Sequence, residues 1–179
     1  AIIEALKTNT NLLKIYLDGN QIGYALSQKI DSMMNPERIE KRIWINKIER
    51  NDPSLTSLDL SNNQFGDMIQ DLTEALKSNT RLLTLSLGYS QIGKEEVFLL
   101  AEALKENKGL TTVNLSGNLI GDEGVRVLAE ALKLNTSLTT ISLNNNQVGD
   151  EGAKDLSEAL KINKSLEECG QMASIASAE

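Results

Sequence analysis

The chain has 179 residues, 40% of them hydrophobic and 24% charged, with a net charge of −7, one cysteine and no histidine. Lacking histidine, it has no Ser-His-Asp or Cys-His nucleophile, no histidine metal ligand and no histidine pH switch. The acidic balance argues against nucleic acid and towards a basic protein surface as partner, and no run approaches the roughly 20 apolar residues of a membrane span.

Residues 1–11 read as the end of a repeat, because Glu4, Ala5, Leu6, Lys7 and Asn9 match Glu74, Ala75, Leu76, Lys77 and Asn79 with no strand ahead of them. A longer parent protein is therefore expected. From Leu12 a phrase begins that places apolar residues at the first, fourth and sixth positions, then an asparagine, then an apolar residue and a glycine. It returns at Leu55, Leu82, Leu110 and Leu138, with a further start at Leu166, at spacings of 27 or 28 residues after the first. A fixed period in this range is the signature of a solenoid whose units cannot stand alone but share a core with their neighbours.

The first full repeat, 12–54, is too long, since Leu12 and Leu55 lie 43 residues apart. Residues 24–34 read as its ordinary helix, and Asn35 with Pro36 as the cap and first position of an inserted helix over about 35–50. That helix holds Ile39, Ile43, Trp44, Ile45 and Ile48 among Arg38, Lys41, Arg42, Lys47 and Arg50. Two readings stand side by side. The helix packs on its own solenoid, or it docks a partner through Trp44 with Lys41 and Arg42 facing an acidic surface.

Regular repeats follow at 55–81, 82–109, 110–137 and 138–165, and 166–179 reads as a degenerate repeat or cap. In the third of these, Leu110, Val113 and Leu115 end at the two-residue period of a strand with one buried face. Beyond Gly121, Val125, Leu128, Ala129 and Leu132 fall at the three- and four-residue spacing of a helix stripe. Asp67, Asp122 and Asp150 are placed to cap the helix starts, and Lys77, Lys105, Lys133 and Lys161 to oppose the dipole at the ends. Asn79, Asn107, Asn135 and Asn163 are expected to close the helices in a left-handed turn. A column of Asn20, Asn63, Asn118 and Asn146 is expected to ladder the turning backbones together. Ser90 interrupts that column with a shorter side chain, which should leave its unit the least firmly tied.

The phrases from Leu138 to Ala153 and from Ala129 to Asn135 resemble the ribonuclease-inhibitor type of leucine-rich repeat. That type occurs in the ribonuclease inhibitor, NOD-like immune receptors, Ran GTPase-activating proteins and bacterial effectors. The resemblance implies an α/β fold, a right-handed βα solenoid with a parallel sheet on the concave face and helices on the convex face, in a single domain. It implies a protein-binding scaffold within a larger sensor, effector or regulator. GTPase activation and acidic ribonuclease inhibition are the alternatives. A cytoplasmic setting follows, with delivery into a host cell if the parent is a bacterial effector.

No cofactor, metal or enzymatic site is expected, and no oligomeric state is implied. Gly88 to Lys94 fits the Gly-x-x-x-x-Gly-Lys phosphate loop, but Glu95 replaces the hydroxyl residue such a loop needs and Gly93 is the ordinary repeat glycine. Asn114, Asn135 and Asn163 stand in glycosylation sequons that loop asparagines beside serine and threonine generate automatically. Partner contacts are then expected on the exposed strand face and its turns, at Tyr16, Asp18, Asp59, Ser61, Ser86, Tyr89, Asn114, Ser142 and Asn144, with Tyr16 and Tyr89 as anchors.

Overall fold

The computed structural model describes residues 26, 36–66 and 68–169. The chain divides into two compact units, Ala1–Lys47 and Ile48–Glu179. Tyr16, Asp18, Asn20 and Asp67, with the helix expected at 24–34 apart from Leu26 and the tail beyond Cys169, lie outside the described residues.

Besides Leu26, the described part of the first unit is helix α1 (Pro36–Glu49), whose last two residues belong to the second. Proline suits this start because the N–H it lacks would have no helical partner there. Ile45 is buried, and so are Lys41 and Arg42, with 7% and 6% of their surface exposed. Ile43 and Trp44 are half-buried, and the Lys47 ammonium lies 5.1 Å from the centre of the Trp44 ring. The docking reading thus loses its basic pair, because buried side chains cannot meet a partner.

The second unit alternates strand and helix: β1 (Ser57–Asp59), α2 (Met68–Ser78), β2 (Thr84–Ser86), α3 (Lys94–Glu106), β3 (Thr112–Asn114), α4 (Gly121–Leu134), β4 (Thr140–Ser142), α5 (Asp150–Ile162) and β5 (Glu168–Cys169). The strands form one parallel sheet in chain order. Leu58, Leu85, Val113 and Ile141 stand in register as one inward row. Leu60, Leu87, Leu115 and Leu143 form the next, all buried. Each helix turns its apolar stripe to the same core, as Leu100, Ala101 and Leu104 do in α3, and α2 to α5 pack side by side. This is the architecture of a βα solenoid, in which every unit completes the burial of its neighbour.

Two sets of asparagines stitch the turns. Asn118 donates from Nδ2 to the carbonyls of Leu87 and Leu115 at 2.9 and 2.8 Å and accepts at Oδ1 from the amides of Ser90 and Ile92. Asn146 repeats the two donor bonds to Leu115 and Leu143. At Asn63 the amide reaches Leu60 and Ser61 at 3.3 and 3.1 Å. Ser90 has one hydroxyl proton for the carbonyls of Leu60 and Gly88, at 3.4 and 3.2 Å, longer than the bonds of Asn118 and Asn146.

The second set corrects an expectation. Asn107, Asn135 and Asn163 end their helices in extended backbone, with φ between −64° and −73° and ψ near 130°, not in the left-handed region. Their side chains explain why. Asn107 donates to the carbonyls of Leu76 and Asn79, at 2.6 and 2.9 Å, and accepts from the amides of Gly109 and Leu110. It therefore fixes its own turn and the helix end of the preceding unit together, and Asn135 and Asn163 do the same one and two repeats later. Asn79 opens the series with a bond to the Ile48 carbonyl at 2.7 Å.

The helix starts also differ from expectation. The N-cap positions are Gly93, Ile120 and Gly149, none with a side-chain cap of its own. Asp122 lies within the first turn of α4, and its Oδ1 accepts from Gly149 N and Gly152 N at the start of α5. It caps its neighbour's helix.

Candidate functional site

A parallel strand with one face in the core must turn its alternate residues outward, and three-residue strands leave two such columns. One is Asp59, Ser86, Asn114 and Ser142, matched across the sheet by register. The other is Ser57, Thr84, Thr112 and Thr140, none of them among the partner contacts expected from the sequence. The alternation of the inward leucines was the signal that could have found them. All eight are exposed or half-exposed and all are polar.

The column carries its own hydrogen-bond chain. Asn114 Nδ2 donates to Ser86 Oγ at 3.2 Å, and Ser86 Oγ lies 2.7 Å from Ser61 Oγ. Ser61 N donates to Asp59 Oδ1 at 2.9 Å, and Ser116 N to Asn114 Oδ1 at 2.9 Å. The Ser61 hydroxyl, then its backbone N–H, and more weakly the Ser86 hydroxyl hold the Asp59 carboxyl below the usual carboxylate range. Asp59 is thus a fixed negative charge at the margin of a neutral polar surface. Ser86, Ser61, Asn114 and Asp59 are brought together; Ser142 and Asn144 stand further along the sheet.

Beyond the strands the chain turns towards the helices, and this rim carries exposed Tyr89, Leu119, Asn144 and Asn145. An open recess of about 180 Å³ lies beside it between Gln64, Phe65, Gln91 and Glu96. Surface ion pairs run along the helices: Lys77 to Glu74 at 2.7 Å, Lys133 to Glu130 at 2.6 Å, and Lys105 to Glu102. Lys94 and Glu123 bridge neighbouring helix starts at 2.6 Å. Lys94 therefore has a carboxylate partner in the very loop that mimics a phosphate site. Asn135 and Asn163, two of the three sequon asparagines, are buried with Nδ2 bonded to backbone. A glycan could be attached there only by unmaking the ladder.

Among the described residues no group of three or more metal-ligating side chains comes together, and no helix is long and apolar enough to cross a membrane. The site can do what a polar sheet with an aromatic rim does, which is to recognise a folded surface.

Comparison with known proteins agrees with that architecture. Actin-binding site 2 of leiomodin-1 superposes with a TM-score of 0.69 and 26% identity, over 74% of this chain and 81% of that one. The tropomodulin C-terminal domain of Caenorhabditis elegans superposes with a TM-score of 0.68 and 21% identity, over 73% and 81%, a likeness of fold alone. No curated protein sequence matches. These comparisons support the leucine-rich repeat itself, not the ribonuclease-inhibitor subtype nor a NOD-like receptor or bacterial-effector setting. The model of the TMOD/LMOD leucine-rich domain matches residues 35–172, and the chain belongs to that family.

Proposed function

We propose that this chain is a binding module, not an enzyme, and that its exposed sheet face and turn rim hold a globular protein of the actin kind. The observation that carries this reading is the likeness, at 26% identity, to a domain of leiomodin-1 described as an actin-binding site, within a family match covering residues 35–172. The surface suits the task. Asp59, Ser61, Ser86, Asn114, Ser142 and Asn144 present donors and acceptors on a rigid sheet, and Tyr89 adds aromatic area at its edge. A cytoplasmic location goes with an actin partner. GTPase activation and ribonuclease inhibition have no residue pattern in their favour, and a sensor or effector role adds nothing that the surface requires.

Titration of monomeric actin against the chain, followed by thermophoresis, tests the reading. Saturable binding that weakens when Asn114→Lys and Ser142→Lys are introduced together, with an unchanged circular dichroism spectrum, is the expected result. No saturation at high micromolar actin would end the actin assignment, and saturation indifferent to the double variant would move the site off the sheet face.

A further inference from the structure

In the turns that leave the strands, where Gln91 (φ 57°) and Gln147 (φ 58°) also have positive φ, the third residue after the outward column of Asp59, Ser86, Asn114 and Ser142 lies in the left-handed region. Asparagine holds that place at Asn62 (φ 61°) and Asn145 (φ 58°), as its short polar side chain permits. In the two turns between them the pattern changes: Tyr89 (φ 55°) and Gly117 (φ 71°) stand there instead. A bulky residue in this conformation carries backbone strain. Burial does not offset it, because Tyr89 is 60% exposed.

The two departures fit each other. A Cβ built on Gly117 would lie 2.4 Å from both Cδ1 and Cε1 of the Tyr89 ring, so the ring rests on bare backbone that only glycine leaves free. The turns are tied together, with Tyr89 N donating to the Ser116 carbonyl at 2.9 Å and Leu119 N to that of Ile92 at 2.8 Å. Leu119, 54% exposed, aligns with exposed Gln91 and Gln147 of the neighbouring turns. An aromatic and an aliphatic side chain thus stand exposed on adjacent turns where the flanking repeats have asparagine and glutamine. The Asp59, Ser61, Ser86 and Asn114 cluster lies beside them, Ser86 and Asn114 on β2 and β3 and Asp59 and Ser61 on β1 and the turn that follows it.

We propose that Tyr89 and Leu119 are the apolar centre of the partner site and Asp59 its charged margin, so that the partner presents an exposed apolar side chain flanked by lysine or arginine. This rests on the sheet-face reading above and names the chemistry it selects. A preorganised aromatic group adds contact area at little entropic cost on binding. The ionised carboxylate of Asp59, in a chain of net charge −7, favours a cation opposite it.

The deciding variant is Tyr89→Asn, which restores the residue found at Asn62 and Asn145. It should raise the midpoint of thermal unfolding by a few degrees through relief of strain, while weakening the affinity for monomeric actin at least tenfold. Leu119→Gln should weaken it severalfold with the fold intact, and Asp59→Asn should remove most of its dependence on salt. A Tyr89→Asn protein that melts earlier and binds unchanged would show the ring to be a cover for Gly117, and would overturn the proposal. If the unchanged chain binds actin and Asn114→Lys with Ser142→Lys abolishes it, but Tyr89→Asn and Leu119→Gln do not, this inference alone fails. No binding by the unchanged chain defeats both.

Discussion

Asp122 belongs to one repeat and caps the helix of the next: its Oδ1 accepts from Gly149 N at 2.6 Å and from Gly152 N at 3.2 Å. The carboxylate stands where the unpaired N–H groups and the positive dipole end of α5 converge. The same contact explains two small residues. A Cβ on Gly149 would meet Asp122 Oδ2 at 3.1 Å, and one on Gly152 would meet Oδ1 at 2.6 Å and Val148 Cγ1 at 2.8 Å.

Asp122→Ala should therefore lower stability by about 1 kcal/mol, the usual worth of a cap, read from the urea midpoint. Hydrogen exchange should speed up at the amides of Gly149 and Gly152 and not at the start of α4. Asp122→Asn keeps an accepting oxygen and should lose less. Gly152→Ala tests the packing side: helix propensity alone favours alanine by about 1 kcal/mol, yet the close approach should make it destabilising.

The closing asparagines give a larger effect. Asn107 has no exposed surface and makes four hydrogen bonds to backbone groups of three successive repeats. Asn107→Ala should cost about 2–4 kcal/mol, since buried amides and carbonyls are left unmatched. Ser90→Asn runs the other way, replacing one shared hydroxyl proton by an amide that can serve both carbonyls, and should add about 0.5–1 kcal/mol. A Ser90→Asn protein less stable than its parent would mean that the turn has closed round the smaller side chain.

What was legible in the sequence was whatever repeats. Leu58, Leu85, Val113 and Ile141 announce the strands, and the stripe of Val125, Leu128 and Leu132 announces a helix, because period and burial are one-dimensional facts. Contacts between repeats were not legible in the same way. Asp122 is spaced to cap its own helix, and only the stacking distance shows that it reaches the next. Asn107 looks like a left-handed terminator because asparagine often is one, and its hydrogen bonds to Leu76 and Asn79 depend on a neighbour 28 residues away. Tyr89 stands out in the sequence as an aromatic residue, but its strain lies in a backbone angle that composition cannot reveal.

Helix α1 shows the same limit. Lys41 and Arg42, spaced among isoleucines, look like a basic face offered to a partner, and both are buried in α1. Lys41→Glu with Arg42→Glu should accordingly destabilise the protein, on the order of 3 kcal/mol or more, because charge reversal at buried positions leaves carboxylates without compensation. The check is the unfolding midpoint. A doubly reversed protein as stable as the parent would contradict the burial.

Asp59 sets the acid response of the sheet face. Its folded-state carboxyl titrates below its ordinary value because the Ser61 hydroxyl, the Ser61 amide and the Ser86 hydroxyl favour the ionised form. A depressed value means that the stabilisation is present above the unfolded-state value of about 3.9 and is lost as pH falls through the folded one. Affinity for a basic partner should thus be flat with respect to this group above about pH 5 and should fall in stronger acid. Ser61→Ala should shift that fall to higher pH, as seen by NMR titration of the Asp59 side chain, and Asp59→Asn should abolish it.

The mutual fit of Tyr89 and Gly117 can be measured without any partner. Gly117→Asn supplies a residue that accepts a positive φ, as Asn62 and Asn145 do, so backbone conformation alone predicts little loss. The Tyr89 ring stands in the way, 2.4 Å from the new Cβ, and must leave its place or force the turn open. Gly117→Asn should therefore cost more than about 1 kcal/mol with tyrosine present, in the manner of an overpacked site, and close to nothing once Tyr89→Asn has removed the ring. The double-mutant cycle should yield a coupling on the order of 1–2 kcal/mol. Additive single changes would mean that the ring does not rest on Gly117, and that its left-handed backbone has another cause.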